Sequence, residues 1–234
     1  MTTSVPGFTI HRIQAVEPEP SPLPEPRTVV ADDAWARVRV YVLDRAMTAV
    51  WKAVGARAAV REHGAERVDL AKEPGPPDED LVSERRGFWW EDLVIDRWAR
   101  PMPVERGGGL AGRYGVDPEG QRFIVITDVL PAPDAPATPV RIDIRPEDWA
   151  DIRAAIARLP GRRLLGWYHS HPGLGVRMSL VDRETQRRTF GVDWQVGLVV
   201  DPWSRDYRFH VGPRARPARW VALVADEGEA PGPA

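Results

Sequence analysis

The stretch Leu164-Leu165-Gly166-Trp167-Tyr168-His169-Ser170-His171-Pro172-Gly173 decides how this chain is read. An apolar run leads into two histidines one residue apart, and proline and glycine follow. A short apolar run closed by such breakers reads as a buried strand. Side chains at i and i+2 of a strand point to one face. His169 and His171 therefore offer two imidazole nitrogens to one point. A loop with Gly175 returns the chain to Ser179-Leu180-Val181-Asp182, where Asp182 adds a carboxylate oxygen. Two nitrogens and one carboxylate, with a fourth position open, is the ligand pattern of a catalytic zinc. A His-x-His by itself is commonly structural. Ser179 to Asp182 also reads as a helix start, with Ser179 as N-cap and Asp182 set against the helix dipole. That reading is compatible with ligation, because the cap fixes where Asp182 points.

Outward from this stretch the pattern alternates between strands and helices. Val38, Val40 and Val42 alternate with Arg37, Arg39 and Tyr41, which predicts a strand. Leu43, Met47, Val50, Val54 and Ala58 then recur every three or four residues, predicting an amphipathic helix to about Glu62. Residues 104–112 read as a short, glycine-rich strand, and 123–130 and 140–144 as further strands. Residues 146–159 read as a helix. Pro146 suits its first turn, Trp149, Ile152, Ile156 and Leu159 share a face, and Gly161 supplies a stop. Residues 196–200 and 207–211 are again strand-like. There is no internal repeat. The expected fold class is α/β (α+β): a mixed β-sheet flanked by two or three helices, over residues 34–225.

The ends differ in composition. Residues 1–33 carry Pro18, Pro20, Pro22, Pro24 and Pro26 alternating with Glu and Ser, which reads as a Pro-rich, flexible or PPII-like arm. Residues 226–234 are acidic and rich in Gly and Pro and read as a frayed tail. Between the first helix and residue 103 the pattern is hard to read. Pro74-Gly75-Pro76-Pro77 is a loop. Phe88, Trp89, Trp90, Leu93, Ile95 and Trp98 form an aromatic-rich patch, read either as local core or as a partner-binding surface.

Composition bounds the function. The chain has 234 residues, of which 43% are hydrophobic, enough for a sizeable core. A formal net charge of −2 argues against a general nucleic-acid binder. With no cysteine there is no thiol nucleophile, disulfide or cysteine-ligated metal. The mixed, polar start and the lack of a long apolar run suit a cytoplasmic protein without a membrane span. Lys52 and Lys72 are the two lysines among 32 basic residues, a skew that fits either genome composition, as in a bacterial source, or avoidance of lysine modification.

The remaining element is Glu105, in Pro103-Val104-Glu105-Arg106-Gly107-Gly108-Gly109-Leu110-Ala111-Gly112-Arg113. Consecutive glycines in a strand let another backbone or a ligand come close. No Gly-Lys-Ser/Thr ending is present, so this is not a P-loop. Alone, Glu105 reads as a solvated strand residue.

Taken together, Glu105, His169-Ser170-His171-Pro172 and Ser179-x-x-Asp182 resemble the JAMM (MPN-plus) metalloproteases, zinc isopeptidases that remove ubiquitin or ubiquitin-like proteins. Glu105 with Gly108, Leu110 and Gly112 is similar to that family's Glu-x-Gly-Gly-x-Leu-x-Gly strand. Gly166-Trp167-Tyr168, Thr185-Gln186 and Gln195-Val196-Gly197-Leu198-Val199-Val200-Asp201-Pro202 are similar to proteasome-lid and signalosome members. The resemblance implies a cytidine-deaminase-like MPN fold. It implies one Zn2+ per chain, held by His169, His171 and Asp182. Glu105 would then act as general base on the zinc-activated water and pass the proton to the leaving amine, and Ser179 would donate to the oxyanion. Ser170, pointing away by alternation, is structural.

On that resemblance the expected activity is that of a zinc isopeptidase or peptidase cutting after the C-terminal tail of a ubiquitin-like protein. The alternatives are a non-catalytic MPN scaffold subunit, or a metal hydrolase of a small amide or a sulfur-carrier precursor. The long segment 64–103 departs from a minimal domain and reads as an insertion. It and the N-terminal arm are the expected contacts of a protein partner. Residues 131–139 are short and Pro-rich, in the place where other members carry substrate-gripping inserts.

Overall fold

The computed structural model describes residues 19–20, 24, 26, 28–31, 37–55 and 103–226. The aromatic patch, nearly all of the expected insertion and residues 227–234 lie outside the described residues. So do positions 56–62 of the first expected helix.

In chain order the described elements are β1 (Glu19–Pro20), β2 (Thr28–Ala31), β3 (Val38–Leu43), α1 (Asp44–Ala53), β4 (Gly107–Val116) and β5 (Arg122–Pro131). A small ribbon follows, β6 (Ala137–Thr138) with β7 (Arg141–Ile142), then α2 (Pro146–Ile156) and β8 (Arg163–Ser170). The chain continues through α3 (Leu180–Thr189), β9 (Val196–Asp201), β10 (Asp206–Val211), β11 (Arg216–Pro217) and β12 (Val221–Val224). The main sheet runs β11-β10-β9-β8-β4-β5-β3-β12-β2, and β1 pairs with β4 beside this path. β8 is parallel to β9 and antiparallel to β4, while β5 is parallel to β3. The sheet is therefore mixed, and with the three helices among the described residues it is the α/β class expected. Among the described residues no helix is long and apolar enough to cross a membrane.

Consecutive residues of the central strands are buried, as in Val40-Tyr41-Val42-Leu43 and Phe123-Ile124-Val125-Ile126. Both faces of the sheet are thus covered. α1 places Ala46, Met47 and Val50 against the strands. α2 sets Ile152 and Ile156 against Ala111 and Ala132. Alternation along β8 and β9 sends Tyr168, Leu198 and Val200 into the larger core. Trp167 and Val199 turn to a smaller cluster with Met178, Phe190 and Ala215. That smaller cluster is the floor under the histidines.

Several boundaries shift from the sequence reading. α1 ends at Ala53, and Gly55 follows at φ +78°. Residues 140–144 form no full strand. Arg141–Ile142 makes a two-residue pairing with β6. Thr28–Ala31, inside the expected arm, is a strand antiparallel to β12. β12 itself has no counterpart in the sequence reading: four residues are too short to show a period, yet Val221–Val224 lies between β3 and β2.

Candidate metal centre

β8 carries His169, and His171 directly after its last residue, to the edge of the sheet's buried region, where they are 0% and 6% exposed. The His169 ring stacks on Trp167 with centroids 4.5 Å apart and an 11° tilt, as expected of i and i+2 neighbours on one strand face. The two Nε2 atoms stand 2.9 Å apart. His171 closes the strand by donating its N–H to Val200 O at 2.8 Å.

Asp182 arrives from the start of α3. Ser179 is the N-cap: its Oγ accepts from Asp182 N at 3.2 Å, and Asp182 Oδ2 accepts from Ser179 N at 2.7 Å. This reciprocal cap satisfies two backbone donors and aims the carboxylate at the histidines. Asp182 Oδ2 lies 3.3 Å from His169 Nε2 and 3.4 Å from His171 Nε2. Both readings of Ser179 to Asp182, cap and candidate ligand, thus describe the same geometry.

The loop between His171 and Ser179 is tied from below by Asp201. Its carboxylate accepts from Gly173 N at 2.9 Å, Gly175 N at 3.1 Å and Trp203 N at 2.9 Å. His210 adds a second tie, with Nε2 3.2 Å from Val176 O and Nδ1 3.2 Å from Ala215 O.

Glu105 lies just ahead of β4 and is 3% exposed; its surroundings differ from the solvated strand position its sequence suggests. β4 and β8 pair with Gly107 opposite His169. Two residues further out that antiparallel register sets Glu105 opposite His171, and Oε1 is 3.8 Å from His171 Nε2. A Cβ on Gly107 would stand 2.6 Å from Tyr168 O and 3.3 Å from His169 Cβ, so a glycine is needed for the approach. The β6–β7 ribbon braces Glu105: its N–H donates to Thr138 O at 2.9 Å, and a backbone N–H of Ile142 reaches its carboxyl. Ser170 faces the other way, accepting from Arg106 N on its Oγ at 2.9 Å.

Burial pushes the Glu105 carboxyl up to about 7, against the pull of His171, with the Asp182 charge adding to the rise. Burial also disfavours the Asp182 carboxylate, but hydrogen bonds from His169, His171 and Ser179 outweigh it and hold the group far below the usual range. Burial lowers His169 despite its bond to Asp182. In His171 burial is outweighed by the Asp182 bond and the Glu105 charge, and its value rises.

These residues fit a divalent ion. One ligand atom from each of His169, His171 and Asp182 falls within 4.8 Å of the others. A tetrahedral ion bound at about 2.0–2.1 Å holds its donors about 3.3 Å apart, close to the 2.9–3.4 Å separations here. Two imidazoles and a carboxylate suit zinc by donor type. Glu105 stands outside this trio, with Oε1 3.8 Å from His171 Nε2. Sequence reasoning quoted Trp167, Gln186 and Asp201 only within stretches that carry the family resemblance, and gave neither them nor the ribbon a part in the site. Only Asp201, polar at the end of an apolar strand, carried a local signal.

No family model matches the chain. Among known proteins, it is 32% identical over 108 residues to COP9 signalosome complex subunit 5 of Caenorhabditis elegans, covering 43% of this chain and 29% of that one. It is 27% identical over 118 residues to the deubiquitinase MYSM1 of Mus musculus, covering 48% and 14%. Among solved structures, a JAB1/MPN domain protein of Archaeoglobus fulgidus aligns over 57% of this chain and 92% of that one, at 13% identity and a TM-score of 0.30. The chain spans less than a third of the length of these two sequence relatives. Its homologues thus include JAMM/MPN proteins.

Proposed function

We propose that this chain is a zinc-dependent isopeptidase or peptidase that hydrolyses the bond after the C-terminal tail of a ubiquitin-like protein. The observation that carries the reading is the convergence of Glu105 on the His169–His171–Asp182 trio. When bound, zinc supplies the positive charge that lowers the pKa of water to about 7 and polarises a carbonyl. His169, His171 and Asp182 would hold it. Glu105, buried beside His171, takes a proton from the attacking water and delivers it to the leaving amine. Ser179 accepts from Asp182 N, which leaves its O–H free to donate to the oxyanion of the tetrahedral intermediate. No acyl-enzyme forms, because the nucleophile is water.

A protein substrate is supported by the relatives' names and by the surroundings of the site. Leu174 follows His171 in the loop, and Leu180 and Val181 directly precede Asp182. All three are exposed, as are Trp203 beside the Asp201 tie and Val104 next to Glu105. Apolar side chains exposed around a polar centre suit an extended peptide tail.

Zinc content of the wild type and of Asp182→Ala, with cleavage of a ubiquitin-like fusion past its Gly-Gly end against a small amide, tests the reading. About one zinc per chain, lost in the variant, and cleavage confined to the fusion are the expected results. A wild type that takes up no zinc would leave the scaffold role. Cleavage of the small amide alone would replace the substrate class.

A further inference from the structure

We propose that Gln186 is a positioning residue of this centre, acting through Trp167: their buried hydrogen bond sets the spacing between the histidine strand and the aspartate helix. The inference rests on the metal-centre reading above and deepens it.

Trp167 Nε1 donates to Gln186 Oε1 at 2.7 Å, with both side chains buried. Trp167 lies two residues before His169 on one face of β8, and Gln186 lies four residues after Asp182 on one face of α3. The indole–amide bond and the His169–Asp182 contact at 3.3 Å therefore span the same strand–helix gap, one turn apart.

Three features make this bond the determinant of that gap. Gln186 alone among the residues of α3 is buried. Within Leu180–Thr189 no apolar side chain is buried: Leu180 and Val181 are exposed, and the apolar anchors Met178 and Phe190 lie just outside its two ends, in the cluster that holds Trp167. Next, the Gln186 amide is oriented by its surroundings. Its Nε2 faces Phe190 O and Gln195 O at 3.4 Å and Gly212 O at 3.3 Å. An NH2 donates to carbonyls, so Oε1 is the atom turned to Trp167. Lastly, metal-ligating histidines ordinarily fix their ring by hydrogen-bonding the other nitrogen. His169 Nδ1 is buried and has no hydrogen-bond partner among the described residues. Its ring is held instead by the stack on Trp167, and Trp167 by Gln186. β9 makes room for this arrangement at Gly197, where a Cβ would stand 2.9 Å from Gln186 Oε1 and 3.0 Å from Trp167 Nε1.

The test is Co2+ titration of the full, metal-free chain, followed by its visible absorption and by zinc competition. The wild type is compared with Gln186→Met, Trp167→Phe and the double variant, each checked for a cooperative melt. Each single variant should weaken metal binding about 10- to 100-fold and alter the cobalt spectrum. The double variant should lose no more than the larger single loss, because both remove one bond. Should Gln186→Met fail to fold, Trp167→Phe leaves the other Gln186 hydrogen bonds in place and carries the test. Folded single variants with wild-type affinity and spectrum, or fully additive losses, would overturn the proposal. A wild type that binds neither metal overturns the metal-centre reading itself, which separates the two failures.

Discussion

Glu105 and His171 face each other because one strand register runs on past the end of β4. Gly107 pairs with His169, and two residues outward Glu105 Oε1 comes to 3.8 Å from His171 Nε2. The proposed general base is thus placed by backbone hydrogen bonds and braced by the β6–β7 ribbon. Glu105→Gln keeps the shape and removes the base. It should lower kcat/KM about 10²- to 10⁴-fold with zinc content unchanged, measured by single-turnover cleavage and metal analysis.

The same carboxyl makes a stability prediction of the opposite sign. Its folded value of about 7 lies above the ordinary 4.5. Glu105 therefore favours the metal-free fold only while protonated. That contribution is full below about pH 4.5 and is lost as pH rises through about 7. Glu105→Gln should stabilise the metal-free chain above pH 7, by at most about 3 kcal/mol, and have little effect near pH 4.5. Urea unfolding at both pH values decides it.

Ser179 serves both the helix cap and the proposed oxyanion contact, and Ser179→Ala separates the two by size. Loss of the cap should cost about 1 kcal/mol of stability. Loss of the donor should lower kcat about 10²- to 10³-fold with little change in KM. A kcat loss that merely tracks the fall in Tm would remove Ser179 from the chemistry.

Asp201 should hold the loop that carries the chain from His171 to Ser179. Burial raises its carboxyl, but backbone N–H groups of Gly173, Trp203, Gly175 and Ser204 outweigh this and keep it below the ordinary 3.8. A lowered folded value gives stability that is present above the unfolded pKa and lost as pH falls through the folded one. Asp201→Asn should cost about 1–3 kcal/mol at pH 7. The gap to wild type should narrow below about pH 4, read from unfolding curves at pH 7 and pH 3.

Gly107→Ala tests the register itself. The added Cβ meets the Tyr168 carbonyl at 2.6 Å, and backbone cannot swing aside as a flexible side chain would. β4 must move from β8, carrying Glu105 away from His171. Activity should fall further than zinc content, since His169, His171 and Asp182 lie on the other side of that seam.

What the amino-acid order determined alone was local. Alternation put His169 and His171 on one face of one strand. The Ser179-x-x-Asp182 spacing made a reciprocal cap that aims the aspartate. Pro146 opened one helix, and Gly161, at φ +66°, follows its end. Each of these depends on neighbours within a turn or a strand pair, where period and capping chemistry act directly. Tertiary structure decided what depends on distant partners. Glu105 reads as solvated until β8 and the ribbon bury it, and burial is what moves its carboxyl toward neutrality. Val221–Val224 is a strand only because β3 and β2 flank it. Trp167 and Gln186 are an aromatic and an amide with no local signal. Desolvation makes their hydrogen bond costly to lose, and it comes into being only when sheet and helix close over it.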